Sequence, residues 1–319
     1  MLQYLVVLLD DTSTSYCHYE NPAQTPRLIP LQTLKDGILF GMKENLMIQF
    51  VYPDYELPSE YKNVIETIDH RKIVSSLCED KELKERADVI VFHDWTGLEY
   101  YIYDKDKLYA LRTTKKDFFD RYRFLKNVLE RVARLNIVFI DIESFGEDDF
   151  AKYKQILSYL VNEMTELYTE DKTPQLNILT DRLMLDHMNN CNAGCESITL
   201  APNGKYYVCP AFYYEDENDF IGNLEHGLDI KNKQLYKLAY APICRHCDAW
   251  QCKRCVWLNK KTTLEVNTPS HEQCVVAHLE RNASRELLAT IRKHGTFLPN
   301  VKIREIDYLD PFDKREEWK

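Results

Sequence analysis

The chain is poor in residues that interrupt regular structure, with 9 glycines and 12 prolines among 319 residues. It has no internal repeat and no low-complexity linker. Apolar residues make up 45% and charged residues 29%, as in ordinary soluble globular proteins. The composition therefore excludes a disordered chain, and the length predicts two domains.

Positive charge is also in short supply, because 41 lysines and arginines stand against 51 aspartates and glutamates. The formal net charge is −10. Proteins that bind nucleic acids or anionic membranes neutralise phosphates with an excess of lysine and arginine. We therefore expect neither nucleic acid nor a membrane among the partners.

Long apolar runs are missing as well. The stretch from Met1 to Leu9 contains a short apolar run, and Asp10 and Asp11 follow it directly. Such a run is too short for a signal peptide or a membrane span, and the two aspartates that follow it also argue against either. We interpret it as a buried strand and expect a cytoplasmic protein.

The ten cysteines are distributed very unevenly. Cys17 and Cys78 are alone in the first 190 residues, whereas eight cysteines lie between Cys191 and Cys274. In a reducing compartment such a group indicates metal or redox chemistry rather than a disulfide framework.

The first part of the chain alternates short apolar runs with longer amphipathic ones, as parallel βα units do. Five or six such units predict an α/β fold with an open or partial (β/α) barrel, and a flavodoxin-like sheet is the alternative. The clearest elements are strands at Tyr4–Leu9, Leu46–Val51, Asp88–Phe92, Tyr109–Thr113, Asn136–Ile140 and Gln175–Leu179, and helices at Asp117–Leu135, Glu147–Tyr168 and Val275–Lys293.

Polar residues follow several of these strands. In either architecture the site lies at the carboxyl ends of the strands, so these residues are candidates for a pocket rim. Capping of the following helices is the competing interpretation. The rim set is Asp10, Asp11, His93, Asp94, Arg112, Asp141, Glu143, Asp181 and Arg182, of which His93, Arg112, Asp141 and Glu143 are the catalytic candidates.

The spacing of the late cysteines indicates two metal sites. It reads Cys191-x3-Cys195, Cys209, Cys244-x2-Cys247-x4-Cys252-x2-Cys255 and Cys274. A C-x-x-C pair places two thiolates on one tight turn, within reach of a single metal centre. Eight thiolates suit two cubane clusters or two zinc ions. Asn203-Gly204 between apolar runs predicts a hairpin that brings Cys209 towards Cys191 and Cys195.

This cysteine pattern resembles a SPASM domain, the auxiliary-cluster module of many radical SAM peptide-modifying enzymes. The resemblance covers roughly residues 185–290 and includes Pro202-Asn203-Gly204 before Cys209-Pro210 and Ile221-Gly222-Asn223-Leu224 after it. It implies two [4Fe–4S] clusters, one on Cys191, Cys195, Cys209 and Cys255 and the other on Cys244, Cys247, Cys252 and Cys274. The family's last spacings are usually x5 and x3, where this chain has x4 and x2, so the pairing of Cys252 and Cys255 between the sites stays open.

The radical SAM motif C-x3-C-x2-C is missing from the loop after the first strand. Asp10, Thr14 and Cys17 stand at the three corresponding positions. A single thiolate does not retain a cubane, and oxygen ligands are poor replacements for sulfur on iron. We therefore expect the shape of a radical SAM barrel without radical chemistry, and no S-adenosylmethionine.

The opening from Leu5 to Pro22 resembles the start of the putative CXXX repeat peptide maturases. That resemblance implies a cysteine-repeat precursor peptide and a separate radical SAM enzyme as partners. The expected organisation is a barrel-like domain over residues 1–185, an iron–sulfur domain with a hairpin and a C-terminal helix over 186–295, and a charged tail over 296–319.

Three functions fit these features. The first is a maturation protein whose clusters relay electrons or order the fold while it binds the precursor. The second is a non-catalytic adaptor with structural clusters, and the third is a zinc-stabilised binding protein.

Overall fold

The computed structural model describes residues 2–188 and 191–303. Within these ranges it contains one sheet of 11 strands. The strands are β1 (Tyr4–Leu8), β2 (Met47–Val51), β3 (Arg71–Ser75), β4 (Val89–Phe92), β5 (Leu108–Thr113), β6 (Arg134–Phe139), β7 (Gln175–Leu176), β8 (Ser197–Leu200), β9 (Lys205–Tyr207), β10 (Gly222–Asn223) and β11 (Gly227–Leu228).

The order of the strands decides between the two expected architectures. From β1 to β7 each strand pairs in parallel with the next one along the chain. A flavodoxin-like sheet reverses its winding after the first strand, and this sheet does not. The partial (β/α) barrel, with an additional C-terminal domain, is therefore confirmed as the fold class.

The helices lie between and after these strands. They are α1 (Leu31–Lys43), α2 (Ser59–Ile65), α3 (Lys81–Glu85), α4 (Lys115–Arg121), α5 (Leu125–Leu129), α6 (Glu147–Thr169), α7 (Asn177–Met184), α8 (Pro210–Glu215), α9 (Val256–Thr263) and α10 (His271–Ile291). Among the described residues, no helix is both long and apolar enough to cross a bilayer.

Two of the predicted elements were wrong in extent. The long helix over Asp117–Leu135 is broken, because a 3-10 turn at Tyr122–Phe124 separates α4 from α5 and the chain enters β6 at Arg134. The strand over Gln175–Leu179 keeps only its first two residues, and the rest begins α7. Asn177 turns the chain there, since its side chain bonds both the N–H and the carbonyl of Ile137.

Strand β1 occupies the middle of the sheet, between β2 and β8. Its residues Leu5, Val7 and Leu8 are fully buried. A parallel strand covered on both faces is apolar throughout rather than alternating, which explains the continuous apolar run of the sequence.

Strand β8 joins the cysteine-rich part of the chain to the barrel. It pairs in parallel with β1, with Tyr4 opposite Ser197 and Val7 opposite Leu200, and it forms the predicted hairpin with β9. Gly204 closes that hairpin with φ +77°, a conformation that favours glycine. The sheet therefore runs across the predicted domain boundary near residue 185. That boundary and the second one, near residue 295, stay predictions.

Helix α10 forms a second contact between the C-terminal part of the chain and the barrel. It packs along α6 and α7, and Tyr153 of α6 donates a hydrogen bond of 2.9 Å to Glu280. The predicted helix over Val275–Lys293 corresponds to α10, which begins four residues earlier with Ser270 as its cap. The last part of the predicted tail, residues 304–319, lies outside the described residues.

Replacement of Leu200 by alanine tests whether β1 and β8 form one unit. Leu200 is fully buried and its side chain approaches Gly37 of α1. We expect a loss of about 2–5 kcal/mol in unfolding free energy, measured by urea denaturation. Amide hydrogen exchange of β1 and β8 should accelerate together.

Leu77→Ala is the matched control, because Leu77 is 67% exposed. It should change stability by less than about 0.5 kcal/mol. Faster exchange confined to β8 and β9 in Leu200→Ala would contradict the coupling.

Candidate metal centres and the enclosed cavity

A cavity of about 500 Å³ lies between the barrel strands and the cysteine-rich segment. Barrel residues from all of β1 to β6 line one part of it, and α10 lines another. The loop after β1 contributes four consecutive lining residues. The lining includes Val6, Tyr16, Cys17, His18, Tyr19, Gln49, Ile73, Val89, Leu108, Ala110, Asn136, Cys191, Cys209, Gln251, Cys252, Lys253, Arg254, Cys255, Val276, Ala277 and Glu280.

Four of the five cysteines that line this cavity form one group: Cys17, Cys191, Cys209 and Cys255. Cys191 is exposed and stands at the open edge, whereas the others are partly covered. Cys209 and Cys255 directly precede α8 and α9, and backbone N–H groups of those helices point at their sulfurs. Such donors stabilise thiolate charge.

Burial sets the acidity of these thiols. It raises the pKa of Cys17 to about 12 and raises the pKa values of Cys209 and Cys255 as well. A thiol in this setting keeps its proton until a metal displaces it, because bound metal requires the thiolate.

A second group contains Cys244, Cys247 and Cys252, whose thiols influence one another electrostatically. The N–H of Ala249 donates to Cys247 Sγ and the N–H of Arg254 donates to Cys252 Sγ, each at 3.4 Å. These are the turn N–H contacts that the C-x-x-C spacing predicts.

Helix α10 borders the second group with two metal-binding residue types. Cys274 is buried on it, and His278, one turn later, places Nε2 3.4 Å from Cys247 Sγ. Burial lowers the pKa of His278 to about 4, so the imidazole is neutral and able to bind metal. Sequence analysis missed His278, although its spacing of four from Cys274 on a helix was a usable signal.

Two buried arginines suit negatively charged groups at these positions. Arg254 is 1% exposed, lies beside Cys244, and has no partner for Nε and Nη1 among the described residues. Arg182 lies beside Cys247 with Nε and Nη1 likewise unpaired. Buried N–H groups without partners are costly, and thiolate-bound clusters would accept from them. The donor set therefore fits iron–sulfur clusters.

The possible metal ligands are not arranged closely around a single ion. Across residues 2–188 and 191–303, no three His, Cys, Asp or Glu side chains are grouped so as to hold one metal ion. Cys195 is half-buried and does not line the cavity, unlike the other three cysteines assigned with it by resemblance.

The loop after β1 is tied down where a radical SAM protein would hold its first cluster. Asp10 accepts hydrogen bonds from the Thr12 N–H at 2.8 Å and from the Tyr55 hydroxyl at 2.9 Å. Ser13 Oγ donates to the carbonyl of Val51 at 2.9 Å. Asp10, which stands at the first position of the missing motif, is thus engaged within the protein.

His93 and Arg112 complete this network. Arg112 is 2% exposed and donates to the carbonyls of Cys17 at 3.0 Å and Tyr19 at 2.6 Å, and to His93 Nδ1 at 3.1 Å. A guanidinium only donates, so the neutral His93 ring carries its proton on Nε2 and donates it to Thr14 Oγ1 at 2.8 Å. These two catalytic candidates hold the loop.

None of the four catalytic candidates belongs to the cavity lining, and the other two bond to lysines. Asp141 accepts from the N–H of Lys115 at 2.9 Å, and burial raises the pKa of its carboxyl. Glu143 forms an ion pair of 2.6 Å with Lys261 of α9. Glu280 does line the cavity, and burial raises the pKa of its carboxyl to about 7. No sequence signal distinguished Glu280 from other acidic residues on α10.

Solved structures with a similar fold include several of anSMEcpe, a radical SAM/SPASM anaerobic sulfatase-maturating enzyme. The hexahistidine-tagged anSMEcpe with bound AdoMet gives a TM-score of 0.59 at 13% identity, over 92% of this chain and 100% of that one. The native anSMEcpe with bound AdoMet and Cp18Cys peptide gives 0.58 at 12% identity, with the same coverage. No protein-family profile matches the chain, and neither does any curated protein sequence.

At this identity the likeness shows the fold, a radical SAM-like core with an additional C-terminal domain. It does not extend to the finer family, and the CXXX repeat peptide maturases stay a prediction.

Titration of His93 should be visible in the stability of the protein. Burial, and then the Arg112 cation, lower the pKa of His93 from its ordinary 6.5. The unfolded chain therefore takes up this proton first, so His93 stabilises the fold above pH 6.5 and loses that contribution as the pH falls towards the lowered value. Urea unfolding between pH 7 and pH 5 should show a smaller decline in His93→Gln than in the parent protein.

His226→Gln, which changes an exposed ring, is the control and should keep the parent pH dependence. An identical decline in His93→Gln would contradict a buried, neutral His93.

Proposed function

We propose that this is an iron–sulfur protein that takes part in the maturation of a ribosomally made cysteine-repeat peptide. It would bind the precursor, relay electrons, or do both, together with a separate radical SAM enzyme. The observation that carries the proposal is the cavity, where a group of thiols meets the largely apolar interior of the barrel.

The cysteines would bind two [4Fe–4S] clusters, one at the cavity and one beside α10. Bound clusters of this kind supply one-electron transfer. The chain's own residues would hold and tune them, because turn N–H groups face Cys247 and Cys252 and the buried guanidinium of Arg254 offsets negative charge.

Zinc remains the alternative metal. Four sulfurs around one zinc ion would lie about 3.8 Å apart at ordinary Zn–S lengths. No group of ligands already arranged around a single ion occurs within residues 2–188 and 191–303.

Binding of S-adenosylmethionine by this chain is not part of the proposal. Asp10 and Thr14 occupy two positions of the missing motif and are engaged with Tyr55 and His93. A peptide substrate is supported by the cavity's size and by the peptides bound to anSMEcpe in related-fold structures. Val6, Ile73 and Leu108 would contact apolar parts of such a peptide.

A second candidate is a non-catalytic adaptor with structural clusters. It is favoured by the use of His93 and Arg112 to hold the loop, which leaves neither at the barrel mouth as a free acid or base. The two candidates predict different redox behaviour of the bound clusters. Clusters that dithionite does not reduce would favour the adaptor.

Metal analysis tests the first part of the proposal. After anaerobic reconstitution we expect about eight irons and about eight acid-labile sulfides per chain, and a brown protein absorbing at about 400 nm. About twelve irons would indicate a third cluster and contradict the loss of the radical SAM site. A colourless protein with about two zinc ions would favour the zinc-stabilised binding protein.

Filling of the cavity tests peptide binding. Ala110 of β5 is 4% exposed and lines the cavity, so Ala110→Phe should weaken binding of a synthetic cysteine-repeat peptide by about tenfold or more, measured by titration calorimetry. Ala151→Phe, at an exposed position of α6, is the matched control and should bind as the parent does. Equal binding by a folded Ala110→Phe variant would place the peptide elsewhere.

A further inference from the structure

We infer that Cys17, from the loop after β1, is the fourth sulfur ligand of the metal centre at the cavity, and that Cys195 is not a ligand. The centre would then consist of Cys17, Cys191, Cys209 and Cys255. The inference rests on the proposed metal binding, but it is independent of which metal is bound.

The first argument is position. Cys17, Cys191, Cys209 and Cys255 line one cavity and lie close enough to influence one another electrostatically. Cys252 also borders the cavity, but its thiol neighbours are Cys244 and Cys247. Cys195, which is only four residues from Cys191, is not among the lining residues. Its N–H bonds the carbonyl of Asn192 within a turn that leads into β8. Nearness in sequence therefore does not bring Cys195 to the cavity, whereas folding brings Cys17 there from 174 residues away.

The second argument is that the backbone at Cys17 and at the two residues after it is held in place. The Arg112 guanidinium holds the carbonyls of Cys17 and Tyr19, and His18 Nδ1 lies 2.7 Å from the carbonyl of Phe139. Arg112 is itself buried on β5. Contacts with the buried strands therefore hold the loop in place at Cys17, as a metal ligand requires.

The third argument is charge. The Lys253 ammonium and the Arg112 guanidinium both lie near enough to Cys17 to favour its thiolate. Lys253 belongs to the Cys252–Cys255 turn, so the cysteine-rich segment and the barrel each place a cation beside this sulfur. A metal bound here would connect the barrel loop to the cysteine-rich segment and stabilise both.

Metal content of two alanine variants tests the inference. Cys17→Ala should retain about half of the parent's metal after anaerobic reconstitution, because one of two sites loses a ligand. Cys195→Ala should retain all of it. Cys78→Ala is the matched control, since Cys78 is buried outside the cavity lining and contacts the carbonyl of Asp80. Full metal in Cys17→Ala, or loss in Cys195→Ala, would overturn the inference.

A measurement on the unaltered chain covers the case in which Cys17→Ala fails to fold. Alkylation is compared between metal-loaded and metal-free protein and located by mass spectrometry. Metal should protect Cys17, Cys191, Cys209 and Cys255, and should leave Cys195 as reactive as before. Protection of Cys195 instead of Cys17 would overturn the inference.

Different results would contradict metal binding by the protein and the assignment of Cys17 as a ligand. A parent protein that binds no metal defeats the proposed function itself. A parent with two full sites that loses metal only in Cys195→Ala defeats this inference alone. If the metal is zinc, the same comparison of Cys17→Ala with Cys195→Ala still identifies the ligand.

Discussion

The parallel pairing of β1 with β8 is the contact on which the rest of this molecule depends. Strand β1 is central and buried, so any strand added beside it becomes part of the barrel. By taking that position, β8 fixes the cysteine-rich segment against the barrel, and α10 packs on α6 and α7 from the other side. The cavity exists because these two attachments enclose it.

Burial of sulfur and positive charge is the second constraint. The buried thiols of Cys17 and Cys252 have strongly raised pKa values, and the buried guanidinium groups of Arg182 and Arg254 keep unpaired N–H groups. Buried N–H groups without an acceptor are costly, and burial disfavours the thiolate form of a cysteine. Bound metal clusters would satisfy both at once, which is why the donor set supports them.

Polar residues after strands divided into two kinds that the sequence does not distinguish. His93 and Arg112 bond to the loop after β1, whereas Asp141 and Glu143 bond to Lys115 and Lys261, and none of the four lines the cavity. The position after a strand indicates the edge of the sheet but not the direction of the side chain. Each of these carboxylates is bonded by a backbone N–H or by a lysine side chain. The bonding group belongs to another element, which is distant in the sequence.

The sequence by itself determined the α/β class with parallel βα units, because strand periodicity and β-branched runs are local properties, and it located β8 and β9 through the Asn203-Gly204 turn. The order of the strands, which excludes the flavodoxin-like alternative, came only from the tertiary structure. Its spacing also identified the two C-x-x-C turns, since such turns are local too, but the division of Cys252 and Cys255 between two groups came from the tertiary structure. Only the tertiary structure placed Cys17 beside Cys209 and Cys255 and left Cys195 outside the cavity lining. That grouping depends on Arg112 holding the loop and on β8 pairing with β1, and both contacts join residues about 90 or more positions apart, where spacing in the sequence carries no information.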